Sequence, residues 1–190
     1  MESVYSQCPE MESEKFLLRL VSQNDCGDLL RVYSDEKAVP LFNSDNCHGD
    51  NFFYTTHERM RQAIDFWLFS YEQGYFVRWS VIDKASCTVI GTIELFNRQA
   101  DDFFSDCGIL RLDLRSDYEQ EDVITEILRL ILNHAFELFN CRMIATKAIK
   151  QAQERRLALA QLGFALRDEK LIGHDGAVYG DYYVLRRIAA

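Results

Sequence analysis

Asp106-Cys-Gly-Ile-Leu-Arg-Leu-Asp-Leu-Arg-Ser-Asp-Tyr-Glu-Gln-Glu-Asp-Val-Ile-Thr-Glu-Ile-Leu-Arg-Leu-Ile-Leu-Asn-His-Ala-Phe-Glu-Leu-Phe139 changes its periodicity once, partway along. Leu110, Leu112 and Leu114 alternate with Arg111, Asp113 and Arg115, the period of a strand with one buried face. From Val123 the apolar residues recur at helical spacing, through Ile127, Leu130, Ile131, Ala135, Leu138 and Phe139, with Asp122 placed to cap the helix. The unit is strand, short loop, long helix. Such a loop delivers free backbone N–H groups and the positive end of a helix dipole to one point, which suits an anionic ligand. The loop itself, Asp117-Tyr-Glu-Gln-Glu-Asp122, has no glycine to let a phosphate approach, and four of its six residues are carboxylates.

The chain has 190 residues, 48% of them hydrophobic, enough for one well-packed domain and short for two. A net charge of -9 argues against nucleic acid or an anionic membrane as a partner, since either needs a basic footprint. Six cysteines, Cys8, Cys26, Cys47, Cys87, Cys107 and Cys141, show no CxxC spacing and read as reduced thiols. No apolar run has the length of a transmembrane helix, and Met1-Glu-Ser-Val-Tyr-Ser-Gln7 lacks the basic and apolar regions of a signal peptide. A cytoplasmic protein is expected.

Along the chain, residues 1–15 read as a loose, acidic lead-in to a single domain over 16–190. Phe16–Val21 reads as a strand, and Cys26, Leu29, Leu30 and Tyr33 mark a helix ending near Ser34. The segment 35–54, with Pro40 and Asn43-Ser-Asp-Asn-Cys-His-Gly-Asp50, carries turn chemistry and suits a substrate-side loop. Thr55-Thr-His-Glu58 matches a capping box before a second amphipathic helix that ends near Gly74. Two strand-like runs follow over 76–83 and 88–97, then the central unit, a strand over 143–148, and a helix over 151–162 stopped by Gly163. Two last strands, roughly 164–170 and 179–187, flank the turn Gly173-His-Asp-Gly176.

This order, with Val89-Ile-Gly-Thr-Ile-Glu-Leu95, Asp106-Cys-Gly-Ile109 and Ala160-Gln-Leu-Gly-Phe164 in sequence, resembles the GNAT superfamily of acyl-CoA-dependent N-acetyltransferases, in the branch of the ribosomal-protein N-terminal acetyltransferases. The resemblance spans residues 16–187 and implies an α/β fold: a mixed, mostly antiparallel, twisted sheet of about seven strands with helices on both faces. It also implies that the strands at 110–114 and 143–148 run parallel and splay apart, with acetyl-CoA pairing in the gap. The thioester carbonyl would then meet a backbone N–H around Leu112, Asp113 and Leu114, and an acceptor amine would attack it.

By the same resemblance the pyrophosphate would lie on the loop and helix start formed by Glu119, Gln120, Glu121, Asp122 and Val123, with Ala152 facing the cofactor arm. Every consensus position of the Arg/Gln-x-x-Gly-x-Gly/Ala loop is missed there, and the family's Asn-x-x-Ser falls on Ala152-Gln-Glu-Arg155. Two functions therefore stand side by side: acetyl transfer to an amine of a small molecule or protein N-terminus, and a GNAT fold that has lost CoA and serves as a binding or interaction module. For the first, Asp106 and Glu94 are the candidate general bases. Cys47, His48 and His57 lack a third group at catalytic or metal-ligand spacing, so no metal site is expected. Arg155 and Arg156 are the cations best placed to meet the acidic loop.

Overall fold

The alternation around Leu110 produces the strand expected, and the rest of the sheet forms about it. The computed structural model describes residues 3–187. Residues 1–2 of the lead-in and 188–190 of the domain lie outside the described residues. In chain order the strands are β1 (Met11–Glu12), β2 (Phe16–Leu20), β3 (Val77–Asp83), β4 (Thr88–Arg98), β5 (Cys107–Leu114), β6 (Met143–Lys147), β7 (Ala165–Leu166), β8 (Leu171–Ile172), β9 (Val178–Tyr179) and β10 (Tyr182–Arg186). The helices are α1 (Cys26–Tyr33), α2 (His57–Glu72), α3 (Glu121–Leu138) and α4 (Gln153–Gln161).

Eight strands make one sheet in the order β1-β2-β3-β4-β5-β6-β10-β7, and β8 with β9 forms a separate hairpin. Neighbours in the sheet are antiparallel except β5 and β6, which are parallel. A parallel pair needs a crossover, and α3 supplies it. Leu110, Leu112 and Leu114 turn toward α3 and α4, where they pack with Ile127, Ile131, Ala158 and Leu159. A second buried cluster joins α1 to α2 through Leu29, Tyr33, Met60 and Trp67. Burial of each such Ile or Leu contributes about 1.5–3 kcal/mol, so the two clusters fix the sheet between two helical layers.

Four sequence expectations need correction. The lead-in is docked: Val4 and Met11 are buried, and Trp79 Nε1 donates to the Pro9 carbonyl at 3.0 Å. A two-residue strand such as β1 is too short to show a period. The N-cap of α2 is Thr56, which accepts from Arg59 N–H, so the cap sits one residue later than Thr55 and Glu58 suggest and, with an arginine at N3, is not a reciprocal box. The N-cap of α3 is Gln120, in extended conformation and without a side-chain cap, and Asp122 lies inside the first turn. Finally, the polar side of β5 is covered: Asp113 is 1% exposed and Arg111 faces the same layer, because the α1–α2 segment lies over it.

Candidate functional site

Two places on the sheet bring functional groups together. The first is the gap between β5 and β6. Their pairing runs from Cys107 with Met143 to Leu110 with Thr146 and ends there, although β5 continues to Leu114. The strands splay from that point, leaving the backbone of Leu112 open on one side.

Arg155 fills the opening. Residues 155, 158 and 159 share the buried stripe of α4, so the arginine is carried inward with Ala158 and Leu159. Its Nη1 donates to the Leu112 carbonyl at 2.7 Å, and its Nε donates to both carboxylate oxygens of Glu119 at 2.9 and 3.1 Å. Nη2 also bonds Glu119. Both side chains are buried, 5% and 8% exposed, so this is an enclosed ion pair and not the surface pair that an acidic loop beside a helix arginine suggests. Arg156 turns away and donates to the Tyr183 hydroxyl at 2.8 Å.

Beside this pair Glu154 accepts the Glu121 N–H at 2.9 Å. A protein carboxylate thus holds one of the free donors at the α3 N-terminus, which explains why α3 needs no side-chain cap. The open cavity in front, about 550 Å³, is lined by Glu119, Gln120, Glu121, Asp122, Glu154 and Gln161. Val123 is half-buried behind it, and Ala152 is buried as the N-cap of α4.

The second place is a pocket of about 750 Å³ on the opposite face, between α2, the loop at 45–52 and the β8–β9 hairpin. Its floor is a cross-strand row, Arg78 opposite Glu94 opposite Arg111. Glu94 binds Arg78 through one oxygen and Arg111 through the other. Arg78 continues to Asp113 at 3.0 Å, and Tyr33 donates to the same Asp113 oxygen at 2.7 Å. The Arg78 guanidinium stacks 4.2 Å from the Trp67 ring. Burial alone would raise the Glu94 carboxyl, but the two arginines outweigh it and hold the group below the usual carboxylate range. Asp113 goes the other way: burial raises it, Arg78 and Tyr33 offset only part, and its Oδ1 has no partner. Asp45 on the pocket wall pairs with Lys147 at 2.7 Å and accepts from Tyr182.

Of the two acids read as bases, Glu94 lines this pocket with both oxygens occupied. Asp106 precedes β5 at the end away from the splay, bonded to Arg142 Nε at 2.6 Å. Cys47 lines the pocket with its thiol pushed up by burial and donating to the Asp45 carbonyl. His57 lies 3.7 Å from the Cys26 sulfur. Among the described residues no group of three potential metal ligands forms. Sequence reading missed Arg78 and Trp67 as site residues, placed Asp113 at the cofactor gap by its backbone, and read Tyr33 only as part of a helical stripe; strand register with the packing of α1 and α2 brings the four together.

A family profile described as Acetyltransferase (GNAT) domain matches residues 15–165. The chain belongs to the GNAT acetyltransferase family. Solved structures agree on the fold. The ribosomal-protein-S5-alanine acetyltransferase of Vibrio fischeri is 18% identical with TM-score 0.69, over 95% of this chain and 96% of that one. A GNAT-family acetyltransferase of Bacillus anthracis is 12% identical with TM-score 0.69, over 94% and 98%. RimJ of Mycobacterium smegmatis, solved with a CoA disulfide, is 15% identical with TM-score 0.67, over 89% and 79%. The comparison with curated proteins finds no match.

The residues of this GNAT domain do not fit a CoA pyrophosphate. A phosphate needs the N–H groups of the α3 start, and Glu154 has taken one of them. Each carboxylate about 5 Å from a phosphate costs from roughly 1 kcal/mol in water to roughly 3 kcal/mol at an effective dielectric of 20. The helix dipole returns only about 0.3–2 kcal/mol. Pantetheine pairing would also require Arg155 to leave the Leu112 carbonyl and strand Glu119 without its cation.

Proposed function

We propose that this GNAT domain is a non-catalytic binding module: the fold and the pocket above the sheet remain, while the acyl-CoA channel has been closed from within. One observation carries the reading, the buried Arg155–Glu119 pair bonded to the Leu112 carbonyl in the splay. With Arg155 bonded to the Leu112 carbonyl a protein side chain occupies the splay, and on this reading no acyl carrier reaches the pocket floor. Glu94 supports the same reading, because a carboxylate held low by two guanidinium groups is a weak base toward an ammonium.

A second reading is favoured by the retained splay itself. In it Arg155 swings out, the acyl-CoA lies along Leu112–Leu114 and Glu119–Val123 beside Ala152, and an amine is acetylated with Glu94 or Asp106 as base. Melting with and without saturating acetyl-CoA separates the two. At a hundredfold excess over Kd, binding adds about 2.7 kcal/mol, roughly 5–10 °C for a chain of this size. No shift is expected, and a shift of that size restores the transferase.

We read the chain as one domain of the cytoplasm. The six cysteines are free, which suits a reducing compartment, and no helix among the described residues is long and apolar enough to cross a membrane. The negative charge favours neither nucleic acid nor an anionic membrane as partner.

A further inference from the structure

The charges around the pocket cancel in pairs. Arg78 and Arg111 flank Glu94, Arg78 also holds Asp113, Lys147 holds Asp45, Arg98 holds Asp102, and Arg59 holds Asp50. Five cations thus face five carboxylates. Among the described residues Asp101 is the lining acid with no cation, and it is exposed at the rim, where water screens it. An ammonium entering the pocket would lose its hydration and find each carboxylate already neutralised by a guanidinium or ammonium beside it. A carboxylate would find the Nη groups of Arg78 and Arg111 engaged in the same way, with only the buried Nε of each left without a partner.

Apart from those two Nε donors and the rim acid Asp101, the surface that the walls leave unpaired is mainly apolar. Phe66, Phe76 and Ile172 surround the mouth, and Ala63 and Phe96 lie deeper. Phe66 and Tyr75 are 58% and 62% exposed, a large apolar surface left uncovered at the entrance. Gln99, His48 and His174 are exposed and stand at the rim, while the buried Tyr54 and Tyr182 already donate their hydroxyls to Asp50 and Asp45. The wall between them is held in a costly backbone: Asn46, His48 and Phe52 all have positive φ, 59°, 53° and 59°. The two sides of the mouth are tied by the His174 N–H to Asn46 Oδ1 bond at 2.9 Å. A volume of about 750 Å³ lies within the range of small-molecule sites.

We infer that the pocket takes a neutral, ring-bearing apolar molecule, its ring among Phe66, Phe76 and Phe96 and any hydroxyl or amide directed to the rim. This rests on the reading of the pocket as the retained binding site, and it differs from an amine-acceptor site in the charge it selects.

Three probes with one ring system test it by equilibrium dialysis at neutral pH: naphthalenemethanol, naphthalenemethylamine and naphthoate. The alcohol is expected to bind, with the amine and the carboxylate weaker by about tenfold or more. Equal or tighter binding of the amine overturns the inference, as does tightest binding of naphthoate or no binding of any probe. Phe66→Ser alters an exposed wall residue and should leave the fold intact while weakening the alcohol about fivefold. Unchanged affinity in that variant overturns the placement. Acetyl-CoA melting on the same sample scores the non-catalytic reading separately. A protein stabilised by acetyl-CoA that still prefers the alcohol loses that reading and keeps this inference. One indifferent to acetyl-CoA that prefers the amine does the reverse.

Discussion

Removing Arg155 tests the plug most directly. Arg155→Ala leaves the Glu119 carboxylate, 8% exposed, without its cation and takes the donor from the Leu112 carbonyl. Breaking a buried ion pair by truncating one partner costs about 3–5 kcal/mol. Glu119 borders the open acidic cavity, so water reaches it once the arginine is gone, and the low end of that range applies. About 3 kcal/mol corresponds to roughly 6–12 °C in Tm for a chain of this length. Glu119→Ala strands the guanidinium and should cost a similar amount, because Arg155 keeps the Leu112 carbonyl alone. The double variant removes both charges and should fall well short of the sum, with a coupling of about 2 kcal/mol in urea titrations. If Arg155→Ala costs less than about 0.5 kcal/mol, or the double variant equals the sum of the singles, the buried pair does not exist as described. The double variant should also stay indifferent to acetyl-CoA. Glu121, Asp122 and Glu154 remain, and at about 1–3 kcal/mol each they still oppose a pyrophosphate. Tight binding by that variant would show that the plug alone closed the site.

Three further outcomes follow from the core of the sheet. Glu94→Gln leaves Arg78 and Arg111 facing each other across a neutral amide and should destabilise the fold by about 3 kcal/mol or more, read by chemical denaturation. Asp25 is buried, which would raise its carboxyl, but Arg19, Ser80 and the Ser22 N–H together hold it below the usual range. Its folded pKa being depressed, its contribution is present above the unfolded carboxylate pKa and fades as pH falls through the folded value. Asp25→Asn should therefore flatten the acid limb of a stability–pH curve, and an unchanged limb would assign the acid transition elsewhere. Gly91→Ala would put a Cβ 2.2 Å from the Asp113 carbonyl, so β4 and β5 must separate locally. A loss of about 2–4 kcal/mol is expected, and a Tm within a degree or two of the parent would contradict the close approach.

The single change of period at Val123 was enough to read β5 and α3, while the parallel pairing with β6 came with the GNAT resemblance. Gly163, at φ 84°, ends α4 where the sequence placed the stop. The acidic loop and its arginine partner were legible as charge that needed an answer, but their depth was not. Arg155 shares a helical stripe with Ala158 and Leu159, and that spacing is the sequence signal that places it inside. The pocket floor left no local trace. Arg78, Glu94 and Arg111 each look like the solvent side of a half-buried strand, and only the register of three strands aligns them. The alternation rule assumes that polar residues face water, whereas here they face one another beneath Trp67.

The plug also answers a question posed by the strands. Where β5 outruns β6, the backbone of Leu112 is an unpaired sheet edge inside the fold, and a buried carbonyl without a donor costs about 1–3 kcal/mol. In a GNAT domain that binds its acyl carrier, pantetheine can pair with that edge. A chain that gives up the carrier keeps the splay, because β5 and β6 are fixed by their own cores on either side, and so inherits the unpaired edge. Arg155 supplies the missing donor through Nη1, and Glu119 neutralises the charge that the donor brings inside. One arginine on the buried stripe of α4 and one acid before α3 thereby satisfy the edge and, on the proposed reading, exclude the carrier together. Arg155→Lys should separate these roles, since a single ammonium cannot span the Glu119 carboxylate and the Leu112 carbonyl in the planar, bidentate manner of a guanidinium. That variant should lose about 1–2 kcal/mol in stability, most of a buried charge-assisted bond, and still fail to bind acetyl-CoA. Full stability in Arg155→Lys would mean that charge alone holds the gap, and that the Leu112 bond contributes nothing to keeping it closed.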